Sequence, residues 1–222
     1  MEKGHTIPLY AGQGYISLVD YHGDDLRAVN AARVSFGRES QELDERDIKL
    51  LGYLAEHGHT SPFEHSSVTL KAKVPLFVAR QWMRHRTLSY NEISRRYTAE
   101  NIEFWYPEKL RAQAPVNRQA SVDTLEGGIQ EHAARIYAEA VEHADLAYQL
   151  LLQVGVCREH ARAVLPAALF TEFYLSGNLL NLLKFVTIRT HEGAQAEMVE
   201  AAHAVKVVLA ALFPHTVELW NK

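Results

Sequence analysis

Fourteen consecutive residues, from position 84 to position 97, hold an unusual concentration of charged and hydrogen-bonding groups. The segment reads Arg-His-Arg-Thr-Leu-Ser-Tyr-Asn-Glu-Ile-Ser-Arg-Arg-Tyr. Charged side chains that leave water need partners, and a dense group of cations and amides is usually assembled around an anion. The fold must therefore bring this segment to a place where an anionic ligand can be held.

The segment changes its period half-way, which predicts a helix followed by a strand. Val78–Arg86 lacks Gly and Pro and follows Pro75, a good opening residue for a helix. From Asn91 to Tyr97 the side chains alternate between two faces, as they do on a strand. We expect both elements to face a common pocket that suits a phosphate and the edge of a base. The residues predicted to line it are Gln81, Arg84, His85, Glu92, Ser94 and Arg96.

Two other interpretations of the segment stay open on spacing alone. The first is an ordinary solvated helix face, and the second is a nucleic-acid contact. Residues 71–100 contain seven Lys or Arg and two Glu, whereas the rest of the chain has 16 Lys or Arg against 25 Asp or Glu. A small basic island in an acidic protein suits a compact anion better than a long phosphate backbone.

The composition of the whole chain is typical of a soluble globular protein. Its 222 residues are 47% hydrophobic and 23% charged, and we expect a single domain over residues 1–222. No apolar run is long enough for a membrane span, and the first residues lead into no apolar signal core. The formal net charge of −4 argues against a general nucleic-acid binder. We therefore expect a cytoplasmic location, with neither a membrane nor a nucleic acid as partner.

Cysteine and histidine usage predicts neither a disulfide nor a metal site. Cys157 is the only cysteine, so no disulfide within the chain is possible. The nearest histidine groups lack the spacing of a zinc site. Those groups are His57 with His59 and His65, and His191 with His203.

Local patterns along the rest of the chain predict an α+β fold, with a small, mostly antiparallel sheet flanked by helices. We expect strands at 15–21, 67–74, 91–97 and 168–175, and a loop or flap at 100–120. We expect helices at 24–32, 43–57, 125–154, 158–165, 178–190 and 194–213. In the helix at 125–154, the residues expected to form the apolar stripe are Ile129, Ile136, Ala140, Ala147 and Leu151.

The segment that begins at position 84 resembles the signature of flavin-dependent thymidylate synthases, Arg-His-Arg-x-x-Ser-x-Asn-x-x-Ser-x-Arg. Three further segments are similar to that family, and the resemblance covers roughly residues 10–215. Those segments are 59–65, 158–166 and 178–189. The specified positions of the signature are met by Arg84, His85, Arg86, Ser89, Asn91, Ser94 and Arg96.

The resemblance implies an FAD-dependent methyltransferase that converts dUMP to dTMP with 5,10-methylenetetrahydrofolate and NADPH. It implies a homotetramer with shared active sites, in which Arg162 reaches the nucleotide phosphate from a neighbouring subunit. It also implies that Arg189 contacts the uracil and favours its ionisation at N3. Cys157 lacks the Pro-Cys-His-type setting of the other thymidylate synthase family. The alternative is a non-catalytic protein of the same fold that binds a nucleotide or a nucleic acid.

The resemblance also implies two sets of ligand contacts. The flavin set is His59, Ser61, Arg84, His85, Arg86, Asn91, Glu92, Asn178 and Lys184. The substrate set is Gln81, Arg84, Glu92, Ser94, Arg95, Arg96, Arg162 and Arg189. The chain departs from the family at three positions: Lys184, where Asn is frequent, Gly193, where some members have His, and Arg95, where Gly is frequent.

Overall fold

The structure is a computed structural model that describes residues 1–117 and 120–220. Within these residues, the strands are β1 (Thr6–Leu9), β2 (Gly14–His22), β3 (Ser67–Pro75), β4 (Ser89–Glu92), β5 (Arg111–Gln113), β6 (Ser121–Thr124) and β7 (Phe170–Asn178). The helices are α1 (Asp25–Arg33), α2 (Glu45–Glu56), α3 (Leu76–Trp82), α4 (Gly127–Gln153), α5 (Arg158–Ala161), α6 (Leu179–Arg189), α7 (Ala196–Leu212) and α8 (Pro214–Trp220).

Five of the strands form one sheet in the order β1-β2-β3-β7-β4, and β5 pairs with β6. Strands β1 and β2 are antiparallel, with Thr6 opposite Ser17 and Leu9 opposite Gly14. The predicted α+β class with a small antiparallel sheet is confirmed. Among residues 1–117 and 120–220, no helix combines the length and the apolar character that a membrane crossing requires.

The chain forms two compact packing units. Unit 1 contains residues 1–72, 83–91 and 173–222, and unit 2 contains residues 73–82 and 92–172. A division into packing units does not decide whether the chain folds as one domain, so the single domain over residues 1–222 stays a prediction.

Helix ends in unit 1 are set by short polar side chains. Asp24 accepts a hydrogen bond from the backbone of Arg27 and caps α1, as its position before the helix predicts. Asp44 and Asp47 form a reciprocal capping box at the start of α2. Buried Asp25 accepts from the backbone nitrogens of His215 and Thr216 at 2.9 and 3.1 Å. It thereby satisfies the first N–H groups of α8, a helix that the sequence patterns did not predict.

Unit 2 is built around the 27-residue helix α4, which lies within the helix predicted at 125–154. Val141 and Tyr148 of this helix are buried, whereas Ile129 and Ile136 are 68% and 52% exposed. The periodicity predicts the helix correctly, but it does not identify the surface that covers the apolar stripe.

Residues 83–97 depart most from the expected elements. Helix α3 ends at Trp82, so Arg84 and His85 lie in a turn, where Arg86 and Leu88 donate backbone bonds to the carbonyls of Arg84 and His85. The predicted strand at 91–97 is also wrong, since β4 ends at Glu92. Hydrogen bonds within a turn replace strand pairing here. The Ser94 carbonyl accepts a hydrogen bond from Tyr97 N, and the Ser94 hydroxyl accepts one from Arg96 N. Serine competes for backbone groups in this way in turns.

The remaining expectations hold with small shifts. Strand β7 begins two residues later than predicted and continues to Asn178, the residue that caps α6. The expected loop at 100–120 contains strand β5 and an isolated bridge between Phe104 and Leu169, and its residues 118–119 lie outside the described part of the chain.

Candidate active site

Two titratable side chains of unit 1 meet at the end of helix α6. Arg189, the last residue of that helix, donates from Nε to Nε2 of His85 at 2.9 Å. The ring of Phe185, one turn earlier on α6, packs edge-on against the His85 ring with centroids 4.9 Å apart. Helix α6 therefore carries both groups that fix the imidazole.

The hydrogen bond determines the protonation state of His85. A guanidinium donates only, so Nε2 of His85 must be the acceptor and the neutral ring carries its proton on Nδ1. Burial lowers the pKa of His85, and the positive charge of Arg189 lowers it further. At neutral pH, His85 is therefore a neutral acceptor that orients Arg189.

Arg189 lies in an environment that disfavours its charge. Burial lowers the pKa of Arg189, the nearby Arg84 adds to this effect, and Tyr90 opposes it. The Tyr90 hydroxyl donates to the His85 carbonyl at 3.1 Å, and burial raises the pKa of Tyr90. Tyr90 was not among the predicted site residues, although its place between Ser89 and Asn91 of the signature would have pointed to it. A partly desolvated cation of this kind acts strongly on a nearby developing negative charge.

The entry to α6 is held by a close approach between two segments. Asn178 caps the helix by accepting from the backbone of Asn181 at 2.9 Å. At Gly177 a side-chain Cβ would lie 2.2 Å from Cδ2 of buried Leu88. A larger residue at position 177 would require the Leu88 side chain to shift, so the end of β7 lies in close contact with the segment that carries His85.

A cavity of about 900 Å³ in unit 1 contains two of the predicted flavin contacts, His59 and Ser61. Its wall also includes the side chains of Arg38, Phe36 and Tyr53. The Tyr53 ring stacks on His57 at 4.1 Å and meets His59 edge-on at 5.8 Å. The cavity thus combines aromatic surfaces with a cation and a hydroxyl, a combination that suits a flat heteroaromatic ligand with an anionic tail.

Other predicted residues lie in unit 2, where several bond to protein groups. Glu92 accepts from the hydroxyl of buried Thr171 at 2.6 Å. Arg96 forms an ion pair with Glu159 at 3.5 Å, and both side chains are about half exposed. Gln81 is on helix α3, where its amide approaches the Phe77 carbonyl at 3.4 Å. Arg162 is exposed in the 3₁₀ turn that follows α5.

The structure divides the predicted site residues between the two units. Unit 1 holds His59, Ser61, Arg84, His85, Arg86, Asn91, Asn178, Lys184 and Arg189. Unit 2 holds Gln81, Glu92, Ser94, Arg95, Arg96 and Arg162. Arg86, Asn91 and Lys184 are exposed and therefore accessible to a ligand. The individual ligand contacts stay predictions.

Comparison with known proteins identifies the family. A family described as thymidylate synthase complementing protein matches residues 17–215. The chain belongs to this family. The predicted family and the prediction of an enzyme are confirmed.

Curated relatives and solved structures agree with this assignment. A flavin-dependent thymidylate synthase of Kosmotoga olearia is 43% identical over 93% of this chain and 89% of its own length. One of Thermus thermophilus is 44% identical over 96% of this chain and 77% of its own. Among solved structures, the UMP/dUMP methylase PolB of Streptomyces cacaoi bound with 5-Br dUMP is 33% identical. It has a TM-score of 0.85 and covers 94% of both chains.

Proposed function

We propose that this protein catalyses the reductive methylation of dUMP to dTMP, with 5,10-methylenetetrahydrofolate as carbon donor and NADPH as reductant. The products are dTMP, tetrahydrofolate and NADP⁺. The observation that carries the proposal is the arginine at the end of α6, whose guanidinium is partly desolvated and oriented by a neutral histidine. Membership of the family supports the same chemistry.

The proposed role of Arg189 is electrostatic. C5 of uracil is a weak nucleophile, and it gains electron density when negative charge develops at N3 and O4. A fixed guanidinium beside these atoms stabilises that charge without reorganising during the reaction. His85 supports this role, since a neutral acceptor on Nε holds the plane of the guanidinium.

The residues of unit 1 fit an FAD cofactor. The cavity at His59 and Ser61 offers the Tyr53 and Phe36 rings for stacking and Arg38 for a phosphate. Arg84, His85, Arg86, Asn91, Asn178 and Lys184 are the other residues of unit 1 proposed to hold the flavin, with Glu92 from unit 2. A bound flavin would supply the hydride chemistry of the reaction.

The nucleotide is proposed to be held by Gln81, Arg84, Glu92, Ser94, Arg96 and Arg162, with Arg189 at the base. Ser94 has a binding role in this proposal rather than a nucleophilic one. Its hydroxyl accepts a hydrogen bond from the Arg96 backbone at 3.3 Å, and that bond holds the turn rather than activating the oxygen.

A homotetramer with shared sites is part of the proposal. In unit 2, helix α4 and the residue that follows it carry large apolar side chains that are 49% to 75% exposed, and such a face is stabilised when another surface covers it. These residues are Ile129, Ile136, Leu146, Leu150 and Val154. Light scattering of the purified protein should give the mass of four chains.

A cytoplasmic location, consistent with the lone Cys157, is testable by cell fractionation.

Anaerobic turnover tests the proposed reaction directly. The purified protein, with and without added FAD, is incubated with dUMP, 5,10-methylenetetrahydrofolate and NADPH, and dTMP is quantified by chromatography. We expect dTMP only when flavin is bound and all three substrates are present. Flavin-loaded protein that binds dUMP and forms no dTMP would instead support the non-catalytic alternative.

A further inference from the structure

Residues 94–101 of unit 2 form a closed loop outside any helix or strand. At its beginning, the Ser94 carbonyl accepts from the backbone nitrogens of Tyr97 and Thr98 at 3.0 and 3.2 Å. Towards its end, Glu100 N donates to the hydroxyl of Thr98 at 3.1 Å. These local bonds fix each end of the loop, but none of them joins one end to the other.

The side chain of Arg95 makes that connection. Its Nη1 donates to the Glu100 carbonyl at 2.6 Å, and its Nη2 donates to the Asn101 carbonyl at 3.1 Å. Asn101 has a left-handed backbone with φ of +53°, which Asn tolerates better than most residues. A planar guanidinium that bonds two successive carbonyls is a rigid, charge-assisted clamp.

The guanidinium of Arg95 is directed into the protein. Its Nε is buried and has no hydrogen-bond partner within residues 1–117 and 120–220, and the same holds for the hydroxyl of fully buried Tyr148. Burial lowers the pKa of Arg95, while Tyr148, Glu172 and Glu103 oppose that effect. A group committed to these contacts is poorly placed to reach a ligand in solvent.

The next residue has the opposite orientation. Arg96 is half exposed and pairs with Glu159 at the start of α5. It lines a cavity of about 600 Å³ together with Cys157 and Arg158. The two neighbouring arginines therefore differ in position: Arg95 closes the loop, whereas Arg96 is available at the surface.

We propose that Arg95 is a positioning residue that acts through Arg96. Its clamp on the Glu100 and Asn101 carbonyls holds the loop in the shape that presents the Arg96 side chain to the nucleotide. This inference rests on the proposed function and replaces the direct substrate contact expected for Arg95 from the resemblance. It is specific to chains with an arginine at this position, because a glycine offers no such clamp.

Hydrogen exchange tests the clamp without any activity measurement. Exchange of a peptide covering residues 96–102 is compared in the wild type, Arg95→Met, Arg95→Lys and the matched control Arg46→Met, whose side chain is exposed on α2. We expect the amides of Tyr97, Thr98 and Glu100 to exchange at least about tenfold faster in Arg95→Met. Lysine should restore only part of the protection, since it lacks the two-pronged fork. Unchanged exchange in Arg95→Met would overturn the clamp.

A double-mutant cycle tests the action through Arg96. We expect Arg95→Met to raise the Kd for dUMP about tenfold, with little change in kcat at saturating dUMP. Arg95→Met combined with Arg96→Met should bind dUMP no more weakly than Arg96→Met alone, because the clamp acts only through that side chain. Losses that multiply would mean a direct contact of Arg95 and would overturn the inference. A wild type that binds no dUMP would refute the proposed function and the clamp's role in it, while hydrogen exchange still decides whether the clamp exists.

Discussion

Arg189 and His85 are separated by 104 positions in the sequence, yet Nε of Arg189 donates to Nε2 of His85 at 2.9 Å. The bond requires a neutral histidine, and Phe185 fixes the ring from the side. The proposed electrostatic group is therefore oriented by a residue of the signature segment. This link gives a physical reason for the two segments to be needed together.

Replacement of Arg189 should separate catalysis from folding. We expect Arg189→Ala to retain flavin and to lose about 10²–10³ in the rate of dTMP formation, the usual effect of removing one preorganised electrostatic donor. Single-turnover kinetics with flavin-loaded protein measure this rate. Arg46→Ala, on the exposed surface of α2, is the matched control and should keep the wild-type rate. A wild-type rate in Arg189→Ala would exclude the role proposed for the arginine.

The lowered pKa of His85 predicts how stability depends on pH. In the unfolded chain, histidine has a pKa of about 6.5, whereas burial and Arg189 lower the pKa of His85 in the folded protein. Between these two pKa values the unfolded state binds more protons than the folded state. The free energy of unfolding therefore decreases as pH falls below about 6.5, and above that pH His85 causes no such decrease. His85→Gln removes this titration and retains an oxygen acceptor for Arg189. Urea unfolding of flavin-free protein above and below this pH should show a smaller pH effect in the variant, and an equal effect would contradict the prediction.

A side chain at position 177 should destabilise the fold, because it displaces buried Leu88. In Gly177→Ala the new Cβ would lie 2.2 Å from Leu88 Cδ2, so the leucine has to leave its buried position. We expect a loss of about 1–3 kcal/mol in the free energy of unfolding, typical of overpacking. Gly193→Ala is the matched control, since its Cβ would lie 3.6 Å from its nearest neighbour. Urea unfolding of both variants measures the difference, and equal stabilities would show that Leu88 moves aside without cost.

Sequence patterns predicted the elements whose local signals and packing agree. Asp24 marks the start of α1, and apolar periodicity marks α2 and α4. The signals failed where tertiary contacts or turn bonds override local preference. Val78–Arg86 has no helix-breaking residue, yet the helix ends at Trp82, after which Leu88 packs against Gly177 and His85 against Phe185. Such contacts between distant segments leave no periodic trace in a single sequence.

The candidate site shows the same limit. Helical spacing alone places Phe185 and Arg189 on one face of α6, since both residues belong to one element. The bond from Arg189 to His85 and the inward clamp of Arg95 could not be predicted. Both contacts depend on where a turn places a side chain. For Arg95 the sequence pattern was misleading, because the alternation at 91–97 predicted a strand.

Cys157 should have no chemical role. It is a free, exposed cysteine at the cap position of α5, and its side chain makes no capping hydrogen bond. We therefore expect Cys157→Ser to keep near wild-type kcat and KM for dUMP in steady-state assays. Thiol-blocking reagents should likewise leave the wild type active unless they block the neighbouring Arg96 by their bulk. Complete inactivation of a folded, flavin-loaded Cys157→Ser protein would revive a covalent cysteine mechanism.

Complementation between two inactive variants tests whether sites are shared between subunits. Arg84 and Arg162 are both proposed to hold the nucleotide, and both are exposed in the single chain. The loss of either charge-assisted contact is expected to weaken binding by about 1.5–3 kcal/mol. At dUMP concentrations well below the variants' KM, Arg84→Ala and Arg162→Ala should each be nearly inactive on their own.

If the two arginines reach one nucleotide from different chains, a mixed oligomer contains some sites with both arginines intact. Mixing the two variants under conditions of verified subunit exchange should then restore part of the dTMP-forming activity. The matched control mixes Arg84→Ala with Arg84→Met, a pair in which every site lacks Arg84 and activity must stay low. If both arginines act from one chain, every site in the first mixture is also defective. Absence of recovery despite exchange, which mass spectrometry of mixed oligomers would verify, would therefore rule out the shared site.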